Sequence, residues 1–175
     1  SACGKQEGPV VYHTISQKHT DTKTSWLSDR ANFHEENYYE VFNKTYARHL
    51  KNGKIDQAAL DLGGLTDQEM YYSFFRESTL DTVMSFKKNY ERKLPWHKTL
   101  FVESYIGNYY INQTNFKKAI PYFQQLTKYK PFNYHTCVEV GHGYADLAFC
   151  YFAIGQHSKA LHYNSKALVL FNKTD

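Results

Sequence analysis

Three cysteines and nine histidines are the residues of this chain best suited to covalent or metal chemistry. Their spacing argues against both. Cys137 and Cys150 are 13 residues apart. On one helix, at about 1.5 Å per residue, that is roughly 20 Å, too far for a disulfide between them. Buried free thiols are the expectation for both. His135 and His142 are seven residues apart, and His157 and His162 five. Neither pair has the four-residue spacing that sets two imidazoles of an HExxH site on one helical face. The chain has no CxxC, no HxH, no GxSxG and no glycine-rich phosphate loop, and Gly141-His142-Gly143 is a lone GxG fragment. The expectation is a non-enzyme with no metal and no cofactor.

The elements that would carry these residues read as helices. Hydrophobic residues make up 42% of the 175 residues and aromatics 17%, with 16 Tyr and 12 Phe. That is enough for one sizeable core and excludes a chain disordered throughout. Glycine and proline are sparse, and the apolar residues recur at three- and four-residue spacing, so the fold class is all-α. The net charge of +4 is not gathered into a basic stretch, so direct nucleic-acid binding is not expected. No run of 18 apolar residues occurs, as a spanning helix requires.

In chain order, residues 1–28 are polar and aperiodic and read as a flexible tether, with residues 29–175 as the folded domain. Tyr38, Tyr39, Phe42, Tyr46 and Leu50 stripe a helix over about 31–51, which Asn52-Gly53 stops. A second helix restarts at Lys54, with Ala58 at a small position. Gly63-Gly64 is expected to break it, and Thr66-Asp67-Gln68-Glu69 reads as a capping box opening the next helix. A further helix is expected from Leu80 to Lys93, ended by Leu94-Pro95. The pairs at about 31–62 and 66–94 thus resemble degenerate helical hairpins.

Two clearer copies follow, at about 100–131 and 141–172. Placing Ala119 on Ala160 sets Ile106 on Leu147, Gly107 on Ala148, Tyr110 on Tyr151, Phe116 on His157 and Leu126 on Ala167, all at an offset of 41. Each copy has a polar or glycine turn, Gln113-Thr114-Asn115 in the first and Gly155 in the second. Small residues let paired helices approach, and aromatics fill the gaps between them. These copies resemble the tetratricopeptide repeat family. Gly107, Ala119, Phe123 and Pro131 match its pattern, while Ala148, Asn164 and Asn172 depart from it. The offset also exceeds the family's minimal period of about 34. The resemblance implies a right-handed superhelical solenoid of about three to four stacked helix pairs.

It also implies a function, which is the binding of a protein or peptide in a concave groove lined by first helices. Carried over by position, the groove would present Phe101, Ser104, Tyr105, Asn108 and Asn112 from one copy. The other would present His142, Asp146, Phe149 and Phe152. Asn108 matches an Asn that many members use to hold a peptide backbone, since a carboxamide both donates and accepts. The lysines and arginines of carboxylate-gripping members are absent, so a C-terminal carboxylate is not the expected guest, and the aromatic-rich groove favours apolar side chains. The last helix, with Leu168, Leu170 and Phe171, lacks a polar cap, so the continuation of a longer chain, a second copy or a partner is expected to cover it.

Ser1-Ala2-Cys3-Gly4 resembles the end of a bacterial lipoprotein signal peptide, with Cys3 as the lipidated residue. The alternative is an ordinary terminal cysteine behind a cloning remnant. With lipidation, the chain would be anchored to a membrane and face the periplasm or cell envelope. Repeat domains of this kind imply the extracytoplasmic sensor part of a larger signalling protein. The alternative is a stand-alone envelope scaffold lipoprotein.

Overall fold

The computed structural model describes residues 36–173. Among them every element is helical and no strand occurs. The tether over 1–28, the start of the first expected helix and Cys3 lie outside the described residues. The described chain forms two compact units, 36–101 and 102–173, and the division falls inside one helix.

The first unit holds α1 (Glu36–Lys51), α2 (Ile55–Tyr71) and α3 (Glu77–Asn89), then 3-10 turns at Glu91–Lys93 and Trp96–Lys98. Tyr39, Phe42 and Tyr46 are the buried stripe of α1, and Ala58, Leu62 and Leu65 that of α2. The expected break at Gly63-Gly64 does not occur, and α2 runs through it. Leu62 and Leu65 flank the pair and are buried, and each glycine in a helix costs only about 1 kcal/mol. Gly63 faces the ring of Phe101.

The expected capping box is not formed either. Thr66 Oγ1 donates back to the Gly63 carbonyl at 2.8 Å. Glu69, fully buried, instead ties three helices together. Its Oε1 accepts from Tyr39 Oη at 3.3 Å and from Thr79 Oγ1 at 2.7 Å, and its Oε2 accepts from Arg76 N at 3.2 Å. The Arg76 guanidinium lies 3.8 Å over the Tyr39 ring. A buried carboxylate needs such partners. The helix expected over 80–93 begins earlier, at Glu77, and ends at Asn89.

α4 (Leu100–Asn112) leads into the second unit, followed by α5 (Phe116–Leu126), α6 (Tyr134–Ala153) and α7 (His157–Phe171). α6 starts at Tyr134, seven residues before the expected 141, and these added residues account for the long period. Its start is fixed by a capping box that the sequence reading missed. Asn133 Oδ1 accepts from Thr136 N at 2.9 Å, and Thr136 Oγ1 accepts from Asn133 N at 3.1 Å. Gly141 and Gly143 leave α6 unbroken and serve close packing. A Cβ on Gly141 would lie 2.6 Å from Phe171 Cε1, and one on Gly143 2.8 Å from Leu126 Cβ.

Three turns share one geometry. After α1, Gly53 N donates to Leu50 O and Lys54 N to His49 O, at 3.0 and 2.8 Å. After α4, Thr114 N donates to Ile111 O and Asn115 N to Tyr110 O, both at 2.8 Å. After α6, Gly155 N donates to Phe152 O and Gln156 N to Tyr151 O, at 2.9 and 2.8 Å. These are Schellman pairs around left-handed residues, with φ of 67° at Gly53, 55° at Thr114 and 77° at Gly155. Four residues after each Schellman pair comes a buried alanine, Ala58, Ala119 or Ala160.

Side-chain packing repeats at the same offset of 41. Tyr110 stacks on Tyr122 at 5.8 Å with Lys118 over the Tyr110 ring. Tyr151 stacks on Tyr163 at 5.4 Å with Lys159 over the Tyr151 ring. The hairpins differ where a ring meets a helix. A Cβ on Gly107 would lie 2.5 Å from Phe123 Cζ. In the second hairpin an exposed Asn164 stands at the Phe123 position, and Ala148 replaces the glycine.

Candidate functional site

α4 and α6, the first helices of the two hairpins in the second unit, meet through polar side chains. Asn108 Nδ2 donates to the Ser104 carbonyl at 3.0 Å, one turn back, and to Asp146 Oδ2 on α6 at 3.4 Å. His142 and Phe149 flank Asp146 at four and three residues' distance, so all three share one side of α6. Phe149 is 50% exposed, and the ring of Phe116 meets it edge-on at 5.8 Å. His142 is exposed and packs edge-on against Phe171 at 5.4 Å.

The electrostatics centre on Asp146. Burial pushes its carboxyl up to about 6, against the Asn108 hydrogen bond and the proximity of His142, which both lower it, while Glu139 adds to the rise. One turn further on, burial and the Asp146 charge push the Cys150 thiol up to about 12. Cys150 is therefore a free but unreactive thiol. Cys137, on the same helix, is disulfide-bonded, a correction to the expected free thiol. The helical rise still separates it from Cys150, which stays unbridged.

Of the nine expected groove residues, the structure brings Asn108, His142, Asp146 and Phe149 together. Ser104 joins them through its carbonyl rather than its hydroxyl. Tyr105 is fully buried in the core and offers no surface, because the face of α4 it occupies also carries Val102 and Ile106. Phe101 falls in the first unit, where its ring packs on Phe86 at 5.9 Å. Asn112 is exposed at the end of α4. Phe152 is 61% exposed and lies edge-on to His157 at 5.1 Å. Among the described residues no three His, Cys, Asp or Glu side chains gather as a metal site would need.

A charge pattern along the second unit went unread in the sequence. Over 102–173, Glu103, Glu139 and Asp146 are the only acidic residues, and all stand on α4 or α6. Every lysine of that stretch stands on α5, α7 or the turns beside them, and there is no arginine. The signal was present as a period in charge, hidden by the modest net charge of the whole chain. Comparison with protein-family models, with curated proteins and with solved structures finds no match.

Proposed function

We propose that residues 102–173 are a peptide-binding module built from stacked helical hairpins of the tetratricopeptide kind. The observation that carries this reading is the Asn108–Asp146 pair, which joins two successive first helices beside the exposed ring of Phe149. With both Asn108 N–H donors engaged within the protein, its carboxamide oxygen and the Asp146 carboxylate offer acceptors to the N–H groups of an extended backbone, and the ring offers an apolar seat. The recurrence of turn, alanine and tyrosine stack at one offset supports a stacked-repeat scaffold. Placement outside the cytoplasm and service as the sensor of a larger signalling protein, or as a stand-alone envelope scaffold, rest on the sequence resemblances alone.

The test is an array of immobilised peptides probed with the wild-type protein, Asn108→Ala and Phe149→Ala. Phe149 is half exposed and Asn108 part-buried, and thermal melts of both variants check that the fold is kept. The expected outcome is a subset of peptides retained by the wild type and lost from both variants by about tenfold or more, or about 1.4 kcal/mol. Retention of the same peptides by all three proteins would show that this face is not the binding surface.

A further inference from the structure

We infer that the Asp146 face receives a cationic side chain of the bound peptide, a lysine ammonium or an arginine guanidinium, seated between the Asp146 carboxylate and the Phe149 ring. The inference rests on the peptide-binding reading and narrows its ligand.

Asp146 is a part-buried carboxylate with few partners among the described residues. Taking a carboxylate out of water is costly unless a cation or several donors replace the water. Among the described residues its one hydrogen bond is from Asn108, at a long 3.4 Å. No Lys or Arg pairs with it among the described residues. None could come from its own helix or from α4, because neither carries a Lys or Arg. His142, one turn before it on α6, favours the charged carboxylate by its proximity but forms no ion pair with it. Both carboxylates near the face, Asp146 and Glu139, favour the same sign of guest.

Phe149 supplies the second half of the seat. It follows Asp146 by three residues, is half exposed, and is held edge-on by Phe116. A cation over an aromatic face gains about 0.5–2 kcal/mol, more where water is excluded. The chain already makes such contacts on its other helices, where Lys118 and Lys159 sit over tyrosines. A metal ion is a poorer guest, since one carboxylate and one carboxamide make too few ligands. An anionic guest would meet the carboxylates with like charge.

The groups facing Asp146 set the pH response. They are Asn108 from α4, and His142, Glu139 and Cys150 from α6 itself. Asp146 loses its charge as pH falls through about 6. At pH 5.0 roughly one molecule in ten keeps the carboxylate, so affinity for a cation falls about tenfold from its value at pH 7.5.

The test uses two probe peptides, acetyl-Gly-Phe-Lys-Phe-Gly-amide and the same peptide with norleucine for lysine, titrated by fluorescence or calorimetry at pH 7.5 and 5.0. The expected result is that the lysine peptide binds about tenfold tighter or more at pH 7.5. That preference should vanish at pH 5.0, and in Asp146→Asn, with the norleucine peptide unchanged. In His142→Gln the loss at low pH should persist, because the carboxylate drives it. Equal binding of both peptides by the wild type would overturn the cation seat and leave the groove standing. Binding of neither would bring down both readings. A loss at low pH that disappears in His142→Gln would overturn the role of Asp146.

Discussion

At the scale of single residues, Gly107 and Phe123 show how one side chain dictates another. The Phe123 ring is fully buried and lies where a Cβ on Gly107 would have to go. Gly107→Ala should gain about 1 kcal/mol of helix propensity and lose about 1–3 kcal/mol to overpacking, for a net loss of stability. Urea unfolding checks this, and adding Phe123→Leu should recover most of the loss in Gly107→Ala. Asp146 makes the opposite case, a native residue the fold would be steadier without. Its folded pKa of about 6 lies above its ordinary 3.8, so the native state holds the proton more tightly than the unfolded chain. The ionised carboxylate therefore destabilises the fold fully above pH 6, and the penalty fades as pH falls from 6 to 4. Asp146→Asn should be more stable than the wild type by about 1–3 kcal/mol at pH 7.5 and about equal to it below pH 4. Thermal melts of the two proteins across that range measure the difference.

At the scale of elements, the three Schellman turns carry the repeat. Two use glycine for the left-handed residue, and Thr114 occupies it in the hairpin between α4 and α5. A β-branched side chain is strained there, so Thr114→Gly should stabilise by about 1 kcal/mol, and Gly155→Thr should destabilise by about 1–2 kcal/mol. Opposite signs at positions 41 apart, read by denaturant midpoints, would establish that the turns are equivalent. The elements legible in sequence were those with a local signal. Asn52-Gly53, Gly155 and the three alanines mark their turns by residue type alone. Where the sequence misled, a tertiary contact overrode the local signal. Gly63-Gly64 reads as a break, but buried Leu62 and Leu65 hold α2 together. Thr66 to Glu69 reads as a cap, but Glu69 answers to Tyr39, Thr79 and Arg76. The start of α6 was hidden because threonine closes its capping box in place of Glu or Gln. At the candidate site, the family resemblance named His142, Asp146 and Phe149, and their spacing along α6 sets them on one side. It could not tell Tyr105, in the core, from Asn108 one turn on, which reaches the surface.

At the scale of the second unit, charge is sorted by helix. Acidic residues are confined to α4 and α6, and lysines to α5, α7 and their flanking turns. Stability does not account for that sorting, since the exposed lysines contribute little wherever they stand and taking the carboxylates of Glu103 and Asp146 out of water is a cost. It does give the two kinds of helix different partners, with cations drawn to the first helices and repelled by the second. Binding of a cationic peptide would depend on that division and on the Asn108–Asp146 pair. The most direct measurement is a titration of the 15N-labelled protein with the lysine peptide, following the Asn108 side-chain amide and the backbone amides of the second unit. Shifts should gather at Asn108 and along α6 from His142 to Phe149. Shifts confined to α5 and α7, or none at saturating peptide, would contradict it.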